Sequence, residues 1–374
     1  MSSQICANKG RKTPYNVTAT GPTPDQTERF TGLLLGTAVG DALGLPAENL
    51  SAEKIRRRWQ GQWRMRFIFG RGMVSDDTEH TLMVAQALLA QPKDATAFQR
   101  VLAWKFRWWF AGLPGGVGLA TAKACLKLWM CFPPGKSAVN SAGSGPAMRS
   151  AILGACFVDD PERRRDFVQA SSRLTHRGWQ AETAALAVAE SVALTMINDG
   201  QPDAAEVTSV LRRLSSETEW QNTLAALEVS LNQRESVSDF AARLGLERAV
   251  SGYSMHVVPV AIHAWLRHPD DFRAALVSAL ECGGDTDTVG AVVGALAGVN
   301  AGKQGIPVEW LHSICEWPRS LSVVEQIAAR LATQTASGKR HGPVHYFWPG
   351  LLPRNLLFLA TVLAHGFRRL LPPY

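Results

Sequence analysis

The stretch Gly283-Gly284-Asp285-Thr286-Asp287-Thr288, running on into Val289-Gly290-Ala291-Val292-Val293-Gly294-Ala295-Leu296-Ala297-Gly298, decides how this chain folds. From Val289 to Val299 nearly every side chain is small and apolar, the signature of a helix packed tightly on all sides. Ahead of it, two carboxylates alternate with threonines. In an extended or turning backbone, side chains at i and i+2 aim the same way. Gly283 and Gly284 let the backbone come close to a ligand. A matching cluster, Ser75-Asp76-Asp77-Thr78, stands about two hundred positions earlier, in front of another helical stretch. An N-capping aspartate accounts for one acid in each cluster but not for two. Four carboxylates gathered in one place repel unless cations sit among them. Magnesium and manganese, which prefer carboxylate and hydroxyl oxygens, suit such a place.

Working outward, the chain reads as all-α. Phe30 to Gly44 is apolar and glycine-rich and suits a buried helix that neighbours approach closely. Helical periodicity predicts elements over 78–91, 96–110, 181–197, 204–214, 220–231, 237–244, 257–266 and 272–280. No segment alternates with period 2, and no fixed-period repeat is present. The expected organisation is a loose, flexible tail over residues 1–28, a catalytic domain over 29–335 and a C-terminal hydrophobic extension over 340–374. Pro133 to Pro146 and Thr335 to Pro343 look like linkers.

Composition narrows the class. Of 374 residues, 46% are apolar and 19% charged, which suits a sizeable core. The formal net charge is +7, with basic residues crowded at Lys54, Arg56, Arg57, Arg58, Arg64, Arg66 and Arg71 and again at Arg163, Arg164 and Arg165. Such clusters taken alone are a solvated surface or face phosphate, nucleic acid or anionic lipid. A nucleic-acid partner is not expected. The six cysteines carry no CxxC spacing, and no secretory signal opens the sequence, so a cytoplasmic location is expected. Leu356 to Phe367 is nearly all apolar and is followed by Arg368 and Arg369. It is too short to span a bilayer, which needs about 20 apolar residues. It either docks on the core or a second subunit, or lies along a membrane surface.

Three further segments carry chemistry. Gly40-Asp41-Ala42-Leu43-Gly44-Leu45-Pro46-Ala47-Glu48 ends in a glutamate on a loop, either a plain surface residue or a functional acid. Ser141-Ala142-Gly143-Ser144-Gly145-Pro146-Ala147-Met148-Arg149 is a small-residue loop opening a helix, a place where free N–H groups bind phosphate, or a plain turn. Leu174-Thr175-His176-Arg177-Gly178 sets His176 ahead of a helix.

Taken in order, these five pieces resemble the ADP-ribosylglycohydrolase family, of the dinitrogenase-reductase-activating glycohydrolase type, from about Phe30 to about Trp317. The resemblance implies a compact orthogonal helical bundle with a central dimetal cleft and two divalent cations, Mg2+ or Mn2+. It implies a metal-dependent ADP-ribosyl hydrolase that cuts a glycosidic bond to free ADP-ribose from modified protein, with arginine-linked modification as the leading target. Serine-linked, nucleic-acid or free ADP-ribosyl compounds are the alternative substrates, and a non-catalytic ADP-ribose-binding protein is the alternative class. Carried over by position, Ser75, Asp76 and Asp77 would be metal ligands from one side and Asp285, Asp287 and Thr288 from the other. Glu48 would be the glutamate of the flap over the metals. Glu48 or Asp285 would take the proton of the attacking water. Ser141, Gly143, Ser144, Gly145 and His176 would line the ADP-ribose site. Ser144 stands where the family commonly has asparagine, and Pro146 where it has a small residue.

Overall fold

The computed structural model describes residues 24–371 apart from Asp199. The expected loose tail therefore lies outside the described residues up to position 23. The first helix already begins at Pro24, ahead of the expected boundary at 28. Among the described residues the protein is all-α: nineteen α-helices and one ladder of two two-residue strands.

Two antiparallel helices form the centre, Pro24–Gly44 and Thr286–Ala301. Glycines every fourth residue on one face the glycines of the other. A Cβ added at Gly32, Gly36 or Gly40 would fall 2.1, 2.1 or 1.9 Å from the carbonyl oxygen of Gly298, Gly294 or Gly290. Real atoms never approach so closely, so the two backbones touch with no side chain between them. Fixing the pair in this register sets the C-terminus of the first helix against the N-terminus of the second. Thr286 Oγ1 donates to Gly44 O at 2.8 Å across that junction.

The next shell is built from helices whose apolar faces close on this pair. Asp76–Ala90, Trp179–Ile197 and Leu321–Ser337 bury long stretches of Ala, Leu and Val. Predicted and observed elements agree closely for the periodic segments: 272–280 is observed as Phe272–Leu280, and 96–110 as Ala95–Ala111. Among helices of eight residues or more, four carried no prediction: Ala52–Trp59, Leu119–Trp129, Pro161–Ser172 and Leu321–Ser337. The first and third have sequences dominated by charge, AEKIRRRW and PERRRDFVQASS, so their buried stripe is thin. The expected linker from Thr335 begins inside the last of these helices, which runs to Ser337 and ends on Gly338 at φ 65°.

Beyond Gly338 the chain is part of the same body. Val344 is buried, its N–H and C=O both bonded to the Gln86 amide at 2.8 Å. A helix over Leu351–Arg369 follows, longer than the predicted apolar run. Arg354, Asn355 and Phe358 are buried against the core, while Leu352, Leu356, Leu357, Leu363 and Phe367 face outward.

Candidate active site

The junction of the two central helices brings the acidic clusters together. Asp285 occupies the N-cap position of helix Thr286–Ala301, and the neighbouring Gly283 and Gly284, at φ 71° and 86°, form the ladder with Leu50 and Ser51. No Cβ fits at Gly284, where it would lie 1.9 Å from Val250 O. The ladder ties the loop after Gly44, and with it Glu48, to the second aspartate cluster.

Ser75 caps helix Asp76–Ala90, its Oγ accepting from Asp77 N at 3.2 Å and donating to Asp77 Oδ2 at 3.1 Å. Neither aspartate of that cluster is needed as the cap. Thr288 Oγ1 reaches Asp77 Oδ2 at 3.3 Å, which joins residues 211 positions apart. Ser144 Oγ donates to Asp285 Oδ2 at 3.4 Å, and Asp287 Oδ1 accepts from Thr288 N at 3.0 Å. Glu48 stands on the rim, its Oε1 bonded to the Asn49 amide at 3.1 Å.

Asp41 organises this arrangement and was quoted in the sequence without a role. It is wholly buried. Its carboxylate accepts from Ser75 N at 3.0 and 2.9 Å, from Thr78 N at 3.1 Å and from the Thr78 hydroxyl, so it shapes the turn that presents Asp76 and Asp77. The signal that could have found it is an acid in the last turn of an apolar helix, costly to bury unless it is hydrogen-bonded.

The electrostatics follow from this crowding. Burial pushes the Asp41 carboxyl up to about 7 against the pull of its Ser75 and Thr78 hydrogen bonds. Burial, then mutual repulsion, holds Asp76, Asp77 and Asp287 well above the usual carboxylate range. Burial raises Asp285 as well. Glu48 is raised by burial and then by Asp285, with the Arg369 guanidinium opposing.

The donor set fits divalent cations. Asp77 Oδ1 is buried with no hydrogen-bond partner, and its surroundings offer hard carboxylate and hydroxyl oxygens. The carboxylates converge on one region without being gathered at a point: among the described residues no three His, Cys, Asp or Glu side chains stand ready to hold one ion. Like charges lower their energy by keeping apart.

The other wall is the 141–145 loop. Gly143 N donates to Ser141 Oγ at 3.3 Å, and Ser144 N to Gly252 O at 3.1 Å. The helix that the loop opens is a single turn, Gly145–Met148, so it supplies little dipole. His176 packs beside this loop, where a Cβ on Gly143 would lie 3.2 Å from its Nε2. Its Nδ1 is 2.8 Å from Thr175 Oγ1. Burial, then Arg149, pushes it down to about 3, so the ring is neutral at physiological pH. Arg149, fully buried, donates to Gly145 O, Ser171 and Thr175 Oγ1 at 2.8–3.1 Å and binds loop and histidine segment into one wall. In the sequence Arg149 is merely the basic residue that ends the small-residue segment, and nothing there marks it as buried.

All the expected site residues thus border one region, with Ser75, Asp76, Asp77 and Asp285, Asp287, Thr288 on facing helix starts, Glu48 on the rim, and Ser141, Gly143, Ser144, Gly145 and His176 on the adjoining wall. A family model described as ADP-ribosylglycohydrolase matches residues 22–340. The chain belongs to the ADP-ribosylglycohydrolase family. As a member it is a hydrolase of glycosidic bonds. The ADP-ribosyl-(dinitrogen reductase) glycohydrolase of Rhodospirillum rubrum is 26% identical over 301 residues, spanning 78% of this chain and 92% of that protein. The ADP-ribosylhydrolase ARH3 of Mus musculus is 26% identical over 360 residues, spanning 82% and 93%. A solved structure described as an ADP-ribosylglycohydrolase-related protein complex superposes with a TM-score of 0.61 at 24% identity, covering 84% of this chain and all of its own, a likeness of fold.

Proposed function

We propose that this glycohydrolase removes ADP-ribose from modified protein in a metal-dependent reaction, with arginine-linked ADP-ribose as its substrate. The observation that carries the reading is the meeting of Asp77 and Thr288 beside Asp285, Asp287 and Glu48. Divalent cations held by Asp76, Asp77, Asp285, Asp287 and the Ser75 and Thr288 hydroxyls would supply Lewis-acid polarisation and a grip on ribose hydroxyls.

The remaining work belongs to the chain. Cleavage develops positive charge at the anomeric carbon, as in other glycoside hydrolyses, and the crowded carboxylates favour that charge. Glu48, raised by burial on the rim, is suited to accept a proton from water as the water oxygen bonds to that carbon. Asp285, held by Ser144, is the other acid within reach of this step. The glycosidic bond breaks and its electron pair leaves with the departing group, which takes up a proton. A guanidinium group suits the Glu48 carboxylate on the rim, which supports arginine over neutral linkages. The neutral His176 and the Ser141–Gly145 loop would border the ADP-ribose.

The test is release of ADP-ribose from arginine-, serine- and nucleic-acid-linked substrates by wild-type protein and by Asp285→Ala. Release from the arginine linkage, falling by more than about a hundredfold in the variant, is expected. An equal rate in both proteins would remove the site assignment. Binding of ADP-ribose without turnover on every linkage would favour a non-catalytic ADP-ribose-binding protein.

A peripheral contact with an anionic membrane accompanies this reading. Its support is the outward apolar row of the Leu351–Arg369 helix, flanked by Trp348 and Arg368, on a chain of net charge +7.

A further inference from the structure

The Glu48 loop is gripped from outside the family-matched region. Leu45–Ala47 forms one tight turn, and Glu48 follows it. Asn49 then takes φ 63°, the left-handed region that asparagine adopts more readily than most residues with a side chain. On one side the loop is bonded to the second aspartate cluster, Asn49 N donating to Gly284 O at 2.7 Å. On the other side stands the C-terminal helix. Arg369 Nη1 donates to Glu48 O at 2.8 Å, and Nη2 donates to Pro46 O at 3.1 Å. One planar guanidinium thus spans two carbonyls of the turn, a geometry that a fork of fixed donors suits.

The same helix is also fixed beside the first aspartate cluster. Near its start, Arg354 donates to Val74 O at 2.5 Å and pairs with Glu79 and Glu316, so it braces the residues flanking Ser75-Asp76-Asp77. At its middle, Phe358 packs with Leu45, Phe67 and Met73. Farther along, His365 Nε2 lies 2.7 Å from Phe67 O. Arg369 is therefore delivered by a helix already seated, not by a free tail.

We infer that Arg369 is a positioning residue: the C-terminal helix, through its two hydrogen bonds to Pro46 and Glu48, holds the Glu48 loop in the conformation the hydrolysis uses. The inference rests on the functional reading given above. Arg369 touches no reacting atom; it acts by fixing the backbone that carries the Glu48 carboxylate.

The experiment combines kinetics with an activity-independent measurement of the loop. Arg369→Ala, Arg369→Lys, Glu48→Ala and the double variant Glu48→Ala/Arg369→Ala are compared on the arginine-linked substrate with manganese present. Amide hydrogen exchange is followed over residues 45–51. Arg369→Ala is expected to lower kcat about tenfold with KM within about twofold, and to speed exchange of the loop about tenfold. Arg369→Lys, able to reach a carbonyl with its ammonium, is expected to recover part of both. Because the residue acts through Glu48, its removal is expected to cost nothing further in the Glu48→Ala background. Unchanged loop exchange in Arg369→Ala, or the same loss with and without Glu48, would overturn the inference. Were wild-type protein to release no ADP-ribose, the functional reading would fail while the exchange comparison still decided whether Arg369 holds the loop.

Discussion

At the scale of single residues, the protein places charge where water cannot reach and then compensates it unevenly. Asp41 is met by three donors, the Ser75 and Thr78 amides and the Thr78 hydroxyl, which offset only part of the cost of its burial. Asp77 keeps one buried oxygen with no hydrogen-bond partner among the described residues. His263 shows the structural case. It is fully buried, stacked 4.5 Å from Phe240, with Nε2 3.0 Å from Ser230 Oγ. Burial, then Arg267, pushes it down to about 4. The folded value lies below the unfolded one near 6.5, so folding favours the neutral ring. Its contribution is complete above pH 6.5 and is lost as pH falls toward 4. Unfolding by urea at pH 7 and pH 4.5 should show wild-type protein losing about 2–3 kcal/mol more than His263→Leu between those pH values. Equal losses would mean that His263 is not kept neutral by the fold.

At the scale of elements, periodic segments were legible and cooperative contacts were not. The glycine-rich helices announced close packing, but not that Gly32, Gly36 and Gly40 would meet Gly298, Gly294 and Gly290. That register brings Glu48 to Asp285, so the site exists because of spacing on two distant helices. The aspartates and hydroxyls of the site were visible because two adjacent acids exceed what a helix cap needs. Asp41 and Arg149 escaped because a buried charge is recognisable only once its partners are known. The Leu351–Arg369 helix was only half legible. Its apolar run was plain, whereas the buried Arg354, paired with Glu79 and Glu316, resembles any surface arginine in sequence. Its outer face leads to a separate prediction. Replacing Leu356 and Leu363, both about half exposed, by glutamate should weaken flotation with vesicles containing phosphatidylserine and leave the melting temperature within about 2 °C. Equal flotation of variant and wild type would remove the membrane contact.

At the scale of the whole molecule, a backbone-tight helix pair fixes a junction, surrounding helices bury its acids, and the C-terminal helix braces the first aspartate cluster and the Glu48 loop. Among the described residues the carboxylates near the junction carry no cation partner sufficient to balance them, and burial makes their ionised forms costly. The central claim is that clusters some two hundred positions apart form one cation site. Calorimetric titration of manganese into metal-stripped protein tests it most directly, on wild type, Asp77→Asn and Asp287→Asn. The account predicts about two ions bound per wild-type chain and binding weakened by at least about tenfold in each variant, since each cluster supplies ligands to the shared site. Manganese binding that is absent from wild type, or untouched by either substitution, would contradict it.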